Sequence, residues 1–105
     1  MSKLQKDILD FLQILKPELS AQGITSLGLF GSIAKNTNHL ISDIDIVYKT
    51  SDNFINKHKG WSAFTYLNEH LRDKVANKFN TNVDMFDLNS SSNLKDKIHK
   101  EALYV

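Results

Sequence analysis

The segment SDIDIVYKT, residues 42–50, constrains the fold most strongly, because it is a strand-forming run that carries two acids. Side chains alternate between the two faces of a strand, so Asp43 and Asp45 share one face while Ile44 and Ile46 share the other. Two unpaired carboxylates are costly to bury and repel each other. The segment therefore predicts a sheet with one apolar face, and with solvent or a cation beside the acids on the other.

Length and composition predict a single globular domain over residues 1–105, since 41% of the residues are apolar and 24% are charged. The formal net charge is only +1, and twelve of the thirteen basic residues are lysines, which argues against a dedicated nucleic-acid binder. The chain has no cysteine, and its N-terminus has no continuous apolar stretch. We therefore expect a cytoplasmic protein without a membrane segment.

The periodicity of apolar residues predicts helices alternating with strands in an α/β (α+β) fold. Apolar residues recur at helical spacing over residues 4–19, although Pro17 predicts that this helix ends at Lys16 or restarts there. Residues 53–60 are interpreted as a lysine-rich connection before the helix that begins at Trp61. Strands are predicted at residues 24–30, 42–50 and 82–88, with a closing helix after the last. The expected architecture is a small mixed sheet of three to four strands flanked by helices.

Gly31 and Ser32 follow the first predicted strand, and the segment from Ser32 to about Leu40 is too short and polar for more than two or three turns of helix. A glycine there permits close approach of the backbone, and free N–H groups with a serine hydroxyl suit a phosphate oxygen. On its own a Gly-Ser pair after a strand is more often a plain structural turn. The two acids that follow after ten intervening residues favour the phosphate interpretation.

A third acid can join the site from the strand that contains NVDMF. Asp84 is central in this apolar run, whereas Asp87 lies three residues further on and therefore on the opposite face. We favour Asp84 and keep Asp87 as the alternative. Three carboxylates beside a phosphate-binding turn are the parts of a phosphoryl-transfer site, and their oxygens suit Mg²⁺ or Mn²⁺.

The stretch LFGSIAKNTNHLISDIDIVY resembles the signature of the nucleotidyltransferase superfamily that includes DNA polymerase β: Gly-Ser, about ten residues, then Asp-x-Asp. With VDMF as the strand of the third acid, and with so short a chain, the sequence is similar to the minimal nucleotidyltransferase (MNT) group. Many members of that group are antitoxins encoded beside HEPN-domain ribonuclease toxins. The resemblance spans residues 24–105.

The resemblance implies a role for each matching residue. Asp43, Asp45 and Asp84 would be the catalytic and metal-binding acids, and Gly31 and Ser32 would hold the β- and γ-phosphates of a nucleoside triphosphate. The implied reaction is Mg²⁺-dependent transfer of AMP from ATP to a hydroxyl of a HEPN-type toxin.

The residues after the Gly-Ser pair depart from the resemblance, because Lys35 and Asn36 stand where the family commonly has Arg-Gly. Lysine keeps a positive charge for the nucleotide but lacks the two-pronged geometry of arginine. Two alternatives therefore stay open. One is an antitoxin that binds and occludes its partner without chemistry, and the other is nucleotidyl transfer to RNA or a small molecule.

An aromatic and aliphatic stripe runs along the predicted helix from Trp61 through Phe64, Leu67 and Leu71. Apolar residues at helical spacing are usually core, but they also suit a partner surface or self-association. Periodicity does not distinguish these uses, so a homo-oligomer is an open expectation.

Overall fold

The computed structural model describes residues 2–34, 43–89 and 95–105. A π-helical turn, Asn68–Arg72, joins the helix Trp61–Leu67 to the helix Asp73–Phe79, so that residues 61–79 follow one helical path. None of the helices in the described ranges has the length and hydropathy needed to span a bilayer. The elements, in chain order, are α1 Lys3–Ala21, β1 Ile24–Phe30, α2 Gly31–Ala34, β2 Ile44–Thr50, α3 Asp52–Lys57, α4 Trp61–Leu67, α5 Asp73–Phe79, β3 Val83–Asp87, α6 Lys95–Glu101 and β4 Leu103–Tyr104.

The four strands form one mixed sheet in the order β3-β2-β1-β4, which confirms the predicted fold class. β2 pairs with β1 in antiparallel fashion and with β3 in parallel fashion, and β4 pairs with β1 in antiparallel fashion. The parallel pair requires a long crossover, which α3, α4 and α5 provide. β2 is therefore held on both sides.

The sheet has an apolar cluster on each face, whereas the alternation in SDIDIVYKT predicts one apolar face. Ile44 and Ile46 point into the main core, together with Leu29 and Val83 from the neighbouring strands. The opposite face carries a smaller cluster in which Val47 packs with residues of β3 and α6. Asp45 of β2 lies on this second face, because it alternates with Ile44 and Ile46.

The first helix continues past Pro17, so the prediction of an end or restart at Lys16 is wrong. Pro17 cannot donate to the carbonyl of Gln13, but both residues are exposed and water can serve that carbonyl. Leu15 and Leu19 are buried on either side of the proline. Burial of this face outweighs the missing hydrogen bond.

Two further elements differ from the sequence prediction. Part of the expected connection over residues 53–60 is helix α3, whose N-terminus is capped by Ser51 and whose Phe54 is 2% exposed. The chain also ends in the short strand β4, which follows α6 and pairs with Gly28 and Leu29 of β1. The serine cap of α3 and the two-residue pairing of β4 are weak signals in the sequence. Tertiary contacts determine whether each of these elements forms.

Gln5 connects α1 to the turn that follows β1, although it is a polar residue that is only 5% exposed. Its Nε2 donates to the carbonyls of Ile33 and Ala34 at 2.9 and 2.8 Å. Its Oε1 accepts from the backbone N–H of Ser2, which forms a capping box at the start of the helix. One side chain thus caps α1 and holds the end of α2.

We expect Gln5→Ala to destabilise the protein by about 1–3 kcal/mol, because the buried carbonyl of Ile33 and the partly buried carbonyl of Ala34 lose their donor and the helix loses part of its cap. Urea denaturation followed by circular dichroism measures this change. Gln13→Ala, an exposed glutamine on the same helix, is the matched control and should stay within about 0.5 kcal/mol of wild type. Equal stability of the two variants would contradict the anchoring role of Gln5.

Candidate active site

The acids of the second sheet face come from two adjacent strands. Asp45 is the second residue of β2, and in the parallel ladder it lies directly opposite Asp84 of β3. Paired residues in neighbouring strands point to the same face, so the two carboxylates share one surface. Asp43 immediately precedes β2 and is exposed, as Asp84 is, whereas Asp45 is half-buried.

The electrostatics of Asp45 show that these acids interact. Burial is the largest cause that raises the pKa of Asp45 above its usual 3.8, and the negative charges of Asp84 and Asp43 raise this pKa further. Like charges held this close are destabilising unless a cation or a proton neutralises them. The arrangement therefore favours positive charge on this face of the sheet.

The Gly-Ser turn lies against the half-buried acid. Gly31 has a φ of +79°, which is strained for any residue with a side chain, and a Cβ at this position would collide with the carboxylate of Asp45. Only glycine allows this approach. The structure thus brings Gly31 and Asp45 together, as the sequence predicts for a phosphate turn beside an acid.

For two predicted nucleotide-binding residues, Ser32 and Lys35, the structure gives less information. Ser32 is the second residue of α2, immediately after Gly31. Lys35, with the neighbouring Asn36, lies outside the described residues. Their contact with phosphate stays a prediction.

Asp87, the alternative third acid, lies on the other face of β3. It is paired with Tyr48, and its charge adds to the effect of burial in raising the pKa of that tyrosine to about 12. Its carboxylate accepts a hydrogen bond from the backbone N–H of Asn89 at 2.8 Å. Asp84 is thus the acid of β3 that shares a face with Asp45.

The donor chemistry of this face fits a hard divalent cation, because the charges of Asp84 and Asp43 both act on Asp45 and oxygen is the preferred ligand of Mg²⁺ and Mn²⁺. Among the described residues, however, no three His, Cys, Asp or Glu side chains are grouped closely enough to hold one metal ion. Ligation of a single ion by Asp43, Asp45 and Asp84 together therefore stays a prediction.

Two residues that support this region were missed at the sequence level. Gln5 holds the carbonyls at the end of α2, as described above, and Arg72 donates from Nε to the carbonyl of Val83, the residue before Asp84, at 3.2 Å. Ser2 and Gln5 have the spacing Ser-x-x-Gln, which is typical of a capping box at the start of a helix. This pattern does not indicate the contact of Gln5 with α2. Arg72 carried no local signal.

A family model described as polymerase beta, nucleotidyltransferase matches residues 13–105. This range includes β1, the Gly31 turn and all three acids. No curated protein matches the sequence.

Similar solved structures include two toxin–antitoxin complexes. One, crystallised with AMP-PNP, is 25% identical, has a TM-score of 0.60, and the match covers 95% of this chain and 70% of that chain. The other is a double Asp-to-Glu mutant of the toxin–antitoxin MntA-HpeT, 22% identical with a TM-score of 0.58 and the same coverage. A structure described as a minimal nucleotidyltransferase is 16% identical, has a TM-score of 0.63, and the match covers 90% of this chain and 93% of that chain. The two matches below 25% identity support the fold alone.

We expect Asp45→Asn to stabilise the metal-free protein, with a gain that grows as the pH rises. Because the pKa of Asp45 is raised in the folded state, the folded protein binds more protons than the unfolded chain above pH 3.8, and stability falls as the carboxylate ionises. The amide of Asp45→Asn does not ionise and so avoids this loss. The expected gain in the free energy of unfolding is less than about 1 kcal/mol at neutral pH, because solvent screens the charges at this site.

Urea denaturation in EDTA at several pH values measures this gain. Asp7→Asn, at an exposed acid of α1, serves as the control. A gain for Asp45→Asn that is the same at pH 3 and pH 7, or a loss at neutral pH, would show that charge repulsion is not the cause.

Proposed function

Because this chain belongs to the polymerase β nucleotidyltransferase family, we propose that it transfers AMP from ATP to a hydroxyl group of a partner protein. We propose further that the partner is a HEPN-type ribonuclease toxin and that this chain is its antitoxin. The observation that carries the proposal is the pairing of Asp45 with Asp84 on one face of the sheet, against the Gly31 turn.

The nucleotide and the partner in this proposal are supported by the structural neighbour at 25% identity. That protein is a toxin–antitoxin complex with AMP-PNP, an analogue of ATP. We carry both the adenine nucleotide and the toxin partner over to this chain as parts of the proposal. A cytoplasmic location, where ATP is available, also belongs to it.

The residues of the site divide into those that hold the triphosphate and those that hold the metal. Gly31 and Ser32 would contact the β- and γ-phosphates, and Lys35 would supply a positive charge. Asp43, Asp45 and Asp84 would hold Mg²⁺ or Mn²⁺. When bound, the metal would neutralise charge on the triphosphate and on the attacking and departing oxygens.

The reaction is an in-line displacement at the α-phosphorus. The acceptor hydroxyl oxygen forms a bond to this phosphorus while the bond to the bridging oxygen breaks, and pyrophosphate leaves. The hydroxyl proton passes to a carboxylate oxygen of Asp84, which is the more exposed member of the Asp45–Asp84 pair. The Gly31 turn and the acids orient the triphosphate, so that the acceptor meets it from the side of β3.

We expect Asp84→Asn to reduce AMP transfer at least about 100-fold, because the amide neither accepts the proton nor carries the charge that a metal requires. The assay uses ATP labelled at the α-phosphate, Mg²⁺ and the purified product of the adjacent gene. Asp87→Asn is the matched control: it lies on the same strand, and its amide oxygen can still accept the hydrogen bond from Asn89. Label transfer that is absent with wild type, or equal in the two variants, would contradict the proposal.

A second candidate function is inhibition by binding alone, favoured by Lys35 and Asn36 in place of the usual Arg-Gly. The double variant Asp43→Asn with Asp45→Asn separates the two. If transfer is the mechanism, cells that produce the toxin should lose protection when this variant replaces the wild type, even though the two proteins still associate. Full protection by the double variant would instead support occlusion. Growth under toxin expression and co-purification of the two proteins measure both outcomes.

A further inference from the structure

The outer side of β3 is the edge of the sheet next to the site. The N–H of Ile44 donates to the carbonyl of Asn82, and the N–H of Leu88 donates to the carbonyl of Tyr48. In a parallel ladder this pattern means that the even-numbered residues of β3 direct their backbone N–H and C=O groups towards β2. Met85, an odd-numbered residue, therefore directs its backbone N–H and C=O away from β2, to the outer edge of the sheet. Within the described residues, these groups of Met85 have no hydrogen-bond partner.

Arg72 blocks only the beginning of this edge. Its Nε donates to the carbonyl of Val83, which is the first outward-facing carbonyl of the strand. Strand edges with unpaired backbone groups recruit further strands. From Met85 onwards β3 is therefore a template to which another extended segment can pair.

A cleft of about 250 Å³ lies alongside this edge and reaches Asp84. It is lined by Phe64 and Leu67 of α4 on one side and by Met85 of β3 on the other. Phe64 is 58% exposed, and it contacts the 82% exposed Trp61 edge to face, with ring centroids 6.0 Å apart. Large aromatic side chains exposed together are typical of a surface that a partner covers.

We propose that an extended segment of the modified partner protein pairs with the outer edge of β3 and thereby delivers its hydroxyl to Asp84. This inference rests on the proposed function, which it extends by naming where the acceptor binds. Backbone pairing supplies the orientation, and the cleft beside Phe64 supplies apolar contact. A nucleotide base could stack on an aromatic ring, but only a peptide strand continues the backbone ladder along the edge from Met85 onwards.

The alternation of side chains also predicts the type of acceptor sequence. On the added segment, the residue that shares a face with Asp84 lies on the side of the acids. Its two neighbours lie on the opposite side, where Val83 and Met85 point and where the cleft is lined by Phe64 and Leu67. We therefore infer that the modified hydroxyl residue is flanked directly before and after by apolar residues.

Amide hydrogen exchange tests the pairing. The full chain is compared with and without the purified product of the adjacent gene, in the absence of ATP. We expect partner binding to slow exchange of the Met85 amide at least about tenfold, because this N–H gains a partner strand. Partner binding that protects other regions and leaves Met85 unchanged would overturn the proposal, and so would protection of Met85 by the chain's own self-association.

A kinetic variant tests the cleft. We expect Phe64→Ser to raise the partner concentration needed for half-maximal AMP transfer about tenfold, with the maximal rate within about twofold of wild type. Ile14→Ser, at a 72% exposed position of α1, is the matched control and should leave both values unchanged. An unchanged half-maximal concentration in Phe64→Ser would overturn the docking site while leaving the proposed function intact. Absence of transfer by wild type would instead contradict the function, and hydrogen exchange would then still report on docking.

Discussion

The alternation of side chains along β2 is the constraint on which the rest of the structure depends. Its isoleucines enter the main core on one face, and Asp45 and Val47 occupy the other face. A shift of one residue would bury the acids in the main core and expose the isoleucines. Pairing on both sides of β2 prevents this shift, because β1 and β3 each fix its register. The same interactions that stabilise the fold thus keep the acids on an accessible surface.

The site combines charge repulsion with a close backbone approach, and neither feature favours the stability of the isolated chain. Asp45 is half-buried beside two other acids, and Gly31 has a backbone conformation that disfavours any side chain. Such local costs are typical of positions that serve binding or chemistry rather than packing. Gln5 and Arg72, which hold the segments on either side of the acids, belong to the supporting structure.

The sequence was most informative where a pattern repeats over several residues. Strands β1 and β2, the apolar face of α1 and the shared face of the acids all follow from periodicity. The sequence favoured Asp84 over Asp87 because Asp84 is central in its apolar run, and the strand register of the structure pairs Asp84 with Asp45 and Asp87 with Tyr48. Periodicity could not separate exposed Trp61 from buried Leu71, because both fall on the same helical spacing and packing alone distinguishes them.

Elements set by a few tertiary contacts were not predictable. Helix α3 depends on a serine cap and on burial of Phe54, and β4 is two residues long and depends on its pairing with β1. The extension of α1 through Pro17 depends on the buried leucines on both sides of it. In each case the local preference of the residues is weak or contrary, and the surrounding structure decides.

The parallel pairing of β2 with β3 has a consequence for the order in which the candidate site assembles. Asp45 and Asp84 become neighbours only after the crossover through α3, α4 and α5 has closed, and closing so long a loop has an entropic cost that local contacts do not offset. The hairpin-like pairing of β1 with β2 brings Gly31 to Asp45 without that crossover. The Gly31 side of the site therefore depends on a pairing of strands that are consecutive in the chain, and the complete site arises only in a chain whose crossover has folded.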